Sequence, residues 1–317
     1  MTSQSASSML SAHRLMPFAI AFAGVGLLSL MDAFMKEAAL ATGAYTATVL
    51  RSLIGAAMIA PFWLARKNGW PTRDVMKLHL ERGIISAFMA LSFFYALTKL
   101  PLAEAIAISF IAPLIALYFA NVLLGETIRR SAIFASILGF IGTIVIIGGK
   151  IGDGEFDRDI IYGLASLLFS AVLYAYNFVV IRRQSQVAGP VEIATFHSGV
   201  GGIVLLPFAP FLWTAPQIDS LGAISIASFL TVTGAMAIAW AYAREEAQAL
   251  VPIEYSGFLW ASLFGWLFFR EAVTLPTIAG TLLIVTGCWL ATRQPRATGE
   301  ETPKKNDRDG EASPPRP

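Results

Sequence analysis

The sequence predicts an all-α integral membrane protein in which ten transmembrane helices form an inverted five-plus-five repeat. Three observations support this fold class. Hydrophobic residues make up 56% of the 317 residues and charged residues only 14%, whereas soluble domains average about 25% charged residues. Apolar runs that are long enough to cross a bilayer recur along the chain. The two halves also resemble each other when the sequence is shifted by 145 residues.

The apolar runs are roughly 17–24 residues long, which is sufficient to cross the hydrocarbon core of a bilayer. The ten predicted spans are residues 17–35, 43–63, 83–99, 101–124, 131–149, 160–180, 190–213, 221–243, 249–269 and 274–292. Between the third and fourth spans, Pro101 fits a tight turn at the start of a new helix. The run after Arg14 continues to Met35, which is too long for the apolar core of a signal peptide.

The predicted domain organisation has two five-helix units between two tails. These segments are an amino-terminal tail at 1–16, a first unit at 17–149, a second unit at 150–293 and a disordered tail at 294–317. The last segment mixes charges of both signs with Pro and Gly, which is typical of disorder. The loops between spans are short and leave no room for a second, soluble domain.

Lys and Arg residues in the loops predict the orientation, because they concentrate on the cytoplasmic side of membrane proteins. With the amino terminus inside, the inner side holds 13 of them from Arg14 to Arg296, and the rest of the carboxyl-terminal tail adds four more. The outer loops hold five, which are Lys36, Lys99, Lys150, Arg158 and Arg270. We therefore expect both termini in the cytoplasm, with the protein in a bacterial-type inner membrane.

The repeat is visible at charged and glycine positions. A shift of 145 residues pairs Glu126 with Glu271 and Gly142 with Gly287, and a shift of 146 pairs Lys36 with Arg182 and Arg51 with His197. Because five is odd, the two units enter the membrane in opposite orientations. Such inverted repeats are typical of secondary transporters, which bind substrate near the bilayer midplane. The two Glu residues end the fourth helix of each unit on opposite sides, so we interpret them as turn-holding residues.

Two segments carry a resemblance to a known family. Residues 100–149, LPLAEAIAISFIAPLIALYFANVLLGETIRRSAIFASILGFIGTIVIIGG, and residues 247–291, AQALVPIEYSGFLWASLFGWLFFREAVTLPTIAGTLLIVTGCWLA, each contain an apolar helix, a Glu and a helix with spaced small residues. This pattern resembles the EamA repeat of the drug/metabolite transporter superfamily, over about residues 17–292. The second copy departs from the first in having Phe258 at the position of Pro113, with Pro252 nearer the start of its helix.

The resemblance implies ten helices, a central cavity and movement of small organic molecules by alternating access. Our leading hypothesis is export of amino acids or related compounds, and the alternative is an uptake permease for a vitamin or a nucleoside-like cofactor. The expected partners are a small-molecule substrate, the lipid bilayer and protons as a candidate coupling ion. The protein is expected to be a monomer or a homodimer.

Other classes of function find little support in the sequence. An integral-membrane enzyme needs polar residues clustered on one membrane face, but the ionisable residues within the spans are scattered over both halves. A channel would show a ring of like charges. The sequence lacks a phosphate-binding G-x-x-x-x-G-K-[ST] loop, a G-x-S-x-G elbow and an H-E-x-x-H motif, so we predict no catalytic residues and no cofactor. The net charge of +2 gives no electrostatic basis for nucleic-acid binding.

Ionisable side chains within the spans are the first candidates for substrate or proton binding, because they are costly in a membrane. Asp32 and Arg51 either form a structural salt bridge or bind a charged group of the substrate. Glu104 and Glu254 begin spans four and nine, and are either helix-start acids or proton carriers. His197 is either a packing residue or a proton switch. With no second His or Cys near it, we predict no metal site.

Five uncharged residues complete the candidates: Tyr95, Pro113, Asn177, Trp240 and Tyr255. Aromatic side chains with polar tips either line a cavity for an amphipathic solute or form an interfacial belt. Asn177 follows Tyr174 and Tyr176 within span six. Pro113 lies in the middle of span four, where it removes a backbone hydrogen bond and is expected to kink the helix.

Overall fold

The computed structural model describes residues 3–66, 69–124, 130–152, 157–184, 186–242, 244 and 253–292. All regular secondary structure in these ranges is helical, in agreement with the predicted class. The predicted carboxyl-terminal tail, Glu126 and Pro252 lie outside the described residues.

The helices of the first half are α1 (Ser3–Thr42), α2 (Ala44–Ala65), α3 (Arg73–Leu97), α4 (Leu102–Ser109), α5 (Ala112–Leu124) and α6 (Arg130–Gly152). Those of the second half are α7 (Arg158–Gln184), α8 (Pro190–Leu205), α9 (Ala209–Leu212), α10 (Ile218–Tyr242), α11 (Ser256–Phe269) and α12 (Leu275–Thr292). A 3₁₀ turn at Leu206–Phe208 joins α8 to α9.

Seven stretches of the described chain are long and apolar enough to cross a membrane, and three shorter apolar segments accompany them. The seven begin with Met16–Thr42 in α1 and end with Ile218–Ile238 in α10. The shorter segments are Ile137–Gly149, Ser256–Phe269 and Leu275–Gly287. Large apolar side chains such as Phe134 and Leu275 are exposed on the outside of the bundle, as lipid-facing residues are expected to be.

Two helices extend over cationic residues that the sequence interpretation placed in loops. α3 begins at Arg73 rather than at residue 83, so Arg82 is a buried helical residue and not part of a loop. α1 continues to Thr42, so Lys36 is also a buried helical residue. Both cations lie inside the bundle because each has hydrogen-bond acceptors on other helices or turns, and a charged residue alone does not mark a loop.

Contacts between the two halves are reciprocal: where a helix of the first half packs against a helix of the second, the equivalent helices pack against each other with the halves interchanged. α1 packs against α10, and α7 packs against α3, so the first helix of each half contacts the third predicted span of the other. Likewise α1 packs against α11, and α7 against α4 and α5. The helices α2 and α8 contact each other, as do α6 and α12. A two-fold relation between the halves would produce this pattern.

Glycines allow α6 and α12 to pack backbone against backbone. A Cβ atom added to Gly142 would lie 2.5 Å from the carbonyl oxygen of Gly280 and 2.7 Å from Ile284 Cγ1. A backbone oxygen cannot move aside without shifting its whole helix. The small residues predicted in the fifth helix of each unit are therefore close-packing positions, as is usual between membrane helices.

Replacing Gly142 with Ala is expected to destabilise the protein by about 1–3 kcal/mol, the usual cost of overpacking. The matched control is Gly148→Ala on the same helix, where an added Cβ meets no atom within 4 Å. That control should be neutral or slightly stabilising, because Ala is the better helix former. Thermal unfolding of both purified variants checks the prediction, and equal unfolding temperatures would contradict it.

Candidate functional site

Asp32 and Arg51 lie near the middle of the bundle. Ten residues of α1 follow Asp32, which places it about 15 Å from the helix end at 1.5 Å per residue. The two charges interact electrostatically, but among the described residues they form no direct ion pair. The Arg51 guanidinium lies 5.3 Å from the ring centre of Phe94. Its buried Nε atom has no hydrogen-bond partner within the described part of the chain.

His197 reaches this region from α8. Close packing of α2 and α8 positions it, because a Cβ added to Gly202 would lie 2.7 Å from Leu53 Cδ2. His197 interacts electrostatically with Arg82 and Arg51. Its buried Nδ1 atom also lacks a hydrogen-bond partner among the described residues. The structure thus brings His197 and Arg51, which the repeat aligned with each other, into one electrostatic environment.

Tyr174 connects Asp32 with the second half of the chain. This α7 side chain interacts electrostatically with both Glu254 and Asp32. Asp32, Arg51, Tyr174, His197 and Glu254 are called the central polar cluster below. Its members come from both halves of the chain and carry charges of both signs.

A hydrogen-bonded network involving Asn177 extends from the cluster. Asn177 Oδ1 accepts hydrogen bonds from Arg82 Nε at 3.3 Å and from Ser86 Oγ at 3.4 Å. Arg82 also donates to Gln184 Oε1 at 2.9 Å. Gln184 Nε2 lies 2.6 Å from His79 Nδ1. The predicted candidate Asn177 is therefore a hydrogen-bonded link between α3 and α7.

His79 continues the network to α8. Its Nε2 atom lies 2.9 Å from Glu192 Oε1, and its ring stacks on Phe196 at a centroid distance of 4.5 Å. The sequence interpretation missed His79 and Arg82 because it placed residues 66–82 in a loop, and it did not consider Gln184 or Glu192. The signal for the first two was helical spacing, since His79, Arg82 and Ser86 recur at intervals that align one face of a helix.

Glu104 belongs to a different region, where the first turn of α4 meets the start of α12. Its Oε1 atom accepts a hydrogen bond from Thr277 Oγ1 at 3.4 Å, and the side chain is buried. Nearby, Lys36 pairs with Glu271, and Glu271 Oε2 accepts a hydrogen bond of 2.7 Å from the backbone N–H of Leu102. These contacts agree with the interpretation of Glu271 as a residue that holds a turn.

Pro113 and Tyr255 mark two interrupted helices. The fourth predicted span divides into α4 and α5 at Phe110–Ile111, and Pro113 lies at the start of α5, as expected for a residue that lacks a backbone donor. A turn at Tyr255 precedes α11. The rings of Phe110 and Tyr255 meet edge to face at a centroid distance of 5.3 Å, and a shift of 145 residues aligns these two positions.

Tyr95 and Trp240 lie in other parts of the bundle. Tyr95 lines a cavity of about 640 Å³ that is also lined by Leu40 and Lys99. At that cavity Lys99 pairs with Asp159 at 2.7 Å, and this hydrogen bond raises the pKa of the Lys99 ammonium group. Trp240, near the end of α10, lies 3.8 Å beneath the Arg244 guanidinium. An interfacial position therefore describes Trp240 better than a place in the central polar cluster.

Comparisons with known proteins agree with this arrangement. The sequence profile of the EamA-like transporter family matches residues 15–148 and 161–293. The chain is 28% identical to the pseudopaline exporter CntI of Pseudomonas aeruginosa over 262 residues, which cover 82% of this chain and 90% of that protein. It is 26% identical to an S-adenosylmethionine uptake transporter of Rickettsia felis over 212 residues, covering 66% of this chain and 69% of the other.

A solved crystal structure has a similar fold. It superposes with a TM-score of 0.60 at 22% sequence identity, and the alignment covers 87% of this chain and 96% of that one. Because the family profile matches most of the chain in two segments, one in each half, the chain belongs to the EamA-like transporter family.

Proposed function

We propose that this transporter exports a small polar metabolite, an amino acid or a related compound, across the bacterial inner membrane by alternating access. The observation that carries the proposal is the central polar cluster. Asp32 and Arg51 place charges of opposite sign within two candidate membrane spans, and such charges are costly unless they serve a substrate or ion pathway. Asp32 and Arg51 come from one half and His197 and Glu254 from the other, so movement between the halves would change the site.

The proposed architecture is ten spanning helices in an inverted repeat. The reciprocal packing of the halves and the two segments that match the family profile support it. The interruptions at Phe110 and Tyr255 also fit, because secondary transporters commonly form their sites at broken helices. In this arrangement the two halves rock about the central polar cluster and expose it to one side of the membrane at a time.

The direction of transport is tested by comparing metabolites in cells with and without the protein. Under the export proposal, deletion causes an amino-acid-type compound to accumulate inside the cells and to decrease in the medium. The relative named as an exporter supports this direction. The relative named for S-adenosylmethionine uptake supports the second candidate, uptake of a nucleoside-like cofactor. The opposite change in the metabolite would favour that candidate, and unchanged metabolites would contradict both.

Proton coupling is a separate prediction, which rests on Asp32, Glu104 and Glu254. Carboxylates that take up and release a proton near neutral pH can couple a gradient to substrate movement. In proteoliposomes, collapsing the pH gradient is expected to stop accumulation of the transported compound. Accumulation that continues unchanged would contradict this coupling.

The proposed topology places both termini in the cytoplasm. Replacing Cys288, which is the only cysteine of the chain, gives a background without cysteines for labelling. A cysteine at Asn68 is expected to resist an impermeant thiol reagent in intact cells, because residues 66–72 would face the cytoplasm. A cysteine at Ala215, in the exposed turn after α9, should label readily. The reverse pattern would show the opposite orientation.

A further inference from the structure

Opposite charges in the centre of the protein lie on different sets of helices. The basic groups Arg51, Arg82 and His197 belong to α2, α3 and α8, and His197 interacts electrostatically with both arginines. Of the acidic groups, Asp32 lies on α1 and Glu254 lies just before α11. Both interact electrostatically with Tyr174. Asp32 and Arg51 interact across the boundary between these sets. The site therefore has a basic side and an acidic side that meet.

Two atoms of the basic side carry the strongest indication of a ligand. Arg51 Nε and His197 Nδ1 are buried without a hydrogen-bond partner in the described part of the chain. Buried polar atoms are almost always paired, because an unpaired donor loses its bonds to water without replacement. Arg82, by contrast, already donates to Gln184 and Asn177. Arg51 and His197 are thus the basic groups with a free atom to offer.

Asp32 and Arg51 are close enough to interact but do not bind each other directly. A direct ion pair between Asp32 and Arg51 would leave neither charge available to a ligand. Because they form none, each can bind a ligand group of opposite charge. A ligand with a carboxylate and an ammonium group on one carbon presents adjacent opposite charges. A simple anion such as phosphate would satisfy Arg51 but would place negative charge next to Asp32.

We propose that the central polar cluster binds the α-amino acid group of the substrate, with Arg51 and His197 on its carboxylate and Asp32 on its ammonium group. This inference rests on the proposed function, because it names the substrate chemistry of the same site. Arg51 is the main specificity-determining residue, since its fork of donors matches both oxygens of a carboxylate. The Phe94 ring beneath the guanidinium holds that fork in place.

Binding to purified protein in lipid nanodiscs tests the site without requiring transport. The probes are the standard L-amino acids, followed by the carboxamide and the des-amino acid of the tightest binder. The carboxamide lacks the carboxylate charge, and the des-amino acid lacks the ammonium group. Wild-type protein is expected to bind the amino acid about 10- to 100-fold more tightly than either analogue, the range for a lost charge-assisted hydrogen bond.

Two substitutions assign the two ends of the ligand. Arg51→Gln should remove the preference for the acid over the carboxamide, and Asp32→Asn should remove the preference for the amino acid over the des-amino acid. Arg51→Lys retains a charge without the fork and should keep part of the preference. Arg270→Gln is the matched control, because Arg270 is an exposed arginine in the turn after α11, and it should bind as wild type does.

The proposal is overturned if no standard amino acid binds, or if Arg51→Gln and Arg51→Lys both keep the full preference for the acid. Gel filtration shows whether Arg51→Gln folds. If it does not, the acid preference of Arg51→Lys alone decides whether the proposal stands. Transport in proteoliposomes separates this proposal from the proposed function. Preferential binding without transport would refute the function and leave the site intact, whereas transport with an unchanged acid preference in both Arg51 variants would refute only the site.

Discussion

Replacing Glu271 with Gln is expected to destabilise the protein by about 3–5 kcal/mol, the cost of leaving a buried charge without its partner. Lys36 is only 6% exposed and pairs with Glu271. Its ammonium group also donates to the carbonyl oxygen of Leu100 at 2.7 Å, while Glu271 accepts from the Leu102 backbone. One carboxylate therefore joins α1, the turn before α4 and the turn before α12.

Thermal unfolding of purified protein measures this effect, and Asp74→Asn is the control. Asp74 pairs with Lys77, but these side chains are 90% and 77% exposed, so the control should change stability by less than about 1 kcal/mol. The double variant Lys36→Met with Glu271→Met should recover part of the loss, because it removes both charges at once. If Glu271→Gln unfolds at the same temperature as Asp74→Asn, Glu271 does not hold these turns.

The repeat in the sequence placed Glu271 at the end of the fourth helix of the second unit. The sequence could not identify Lys36 as the partner of Glu271. Lys36 is 235 residues away along the chain, and the loop count assigned it to the outer surface. Only the packing of α1 against the end of α11 brings the two residues together. Charge counting treats a lysine at the end of an apolar run as solvated, so it cannot identify a buried pair.

Arg82 shows a second limit of sequence reasoning. Four cationic residues between 66 and 77 made the segment resemble a loop, and Arg82 was assigned to it. The structure places Arg82 inside α3 because Asn177 and Gln184 accept its hydrogen bonds. By contrast, Asp32, Arg51, His197 and Glu254 were singled out one by one, because ionisable residues within apolar runs are costly in a membrane, and the sequence did not predict that they interact with one another or with Tyr174.

Asp32 of α1 and Asn177 of α7 have different partners. The Asp32 carboxylate interacts with Arg51, whereas the Asn177 amide forms hydrogen bonds with Arg82 and Ser86. Under our proposal Asp32 retains a charge for a ligand, whereas Asn177 is committed to a link between helices.

That link leads to the last prediction, the replacement of Arg82 with Met. The substitution keeps an apolar stem of similar length but removes the donors to Gln184 Oε1 and Asn177 Oδ1. Asn177 keeps a hydrogen bond from Ser86, but Gln184 Oε1 loses its donor, and a buried acceptor left unpaired costs about 1–3 kcal/mol. Relief from burying the guanidinium offsets part of this cost. We expect a net destabilisation of about 1–2 kcal/mol, with faster hydrogen exchange at the start of α8, because His79 and Glu192 depend on the same network.

Arg183→Met is the matched control for this substitution. Arg183 is the neighbour of Gln184 on α7, but its side chain is exposed, so the change should stay within about 0.5 kcal/mol. In a double-mutant cycle, Arg82→Met and Gln184→Met should couple by about 0.5–3 kcal/mol, since both remove the same hydrogen bond. Additive effects would mean that Arg82 is buried without supporting Gln184. The network would then not be the element that joins α3 of the first half to α7 and α8 of the second.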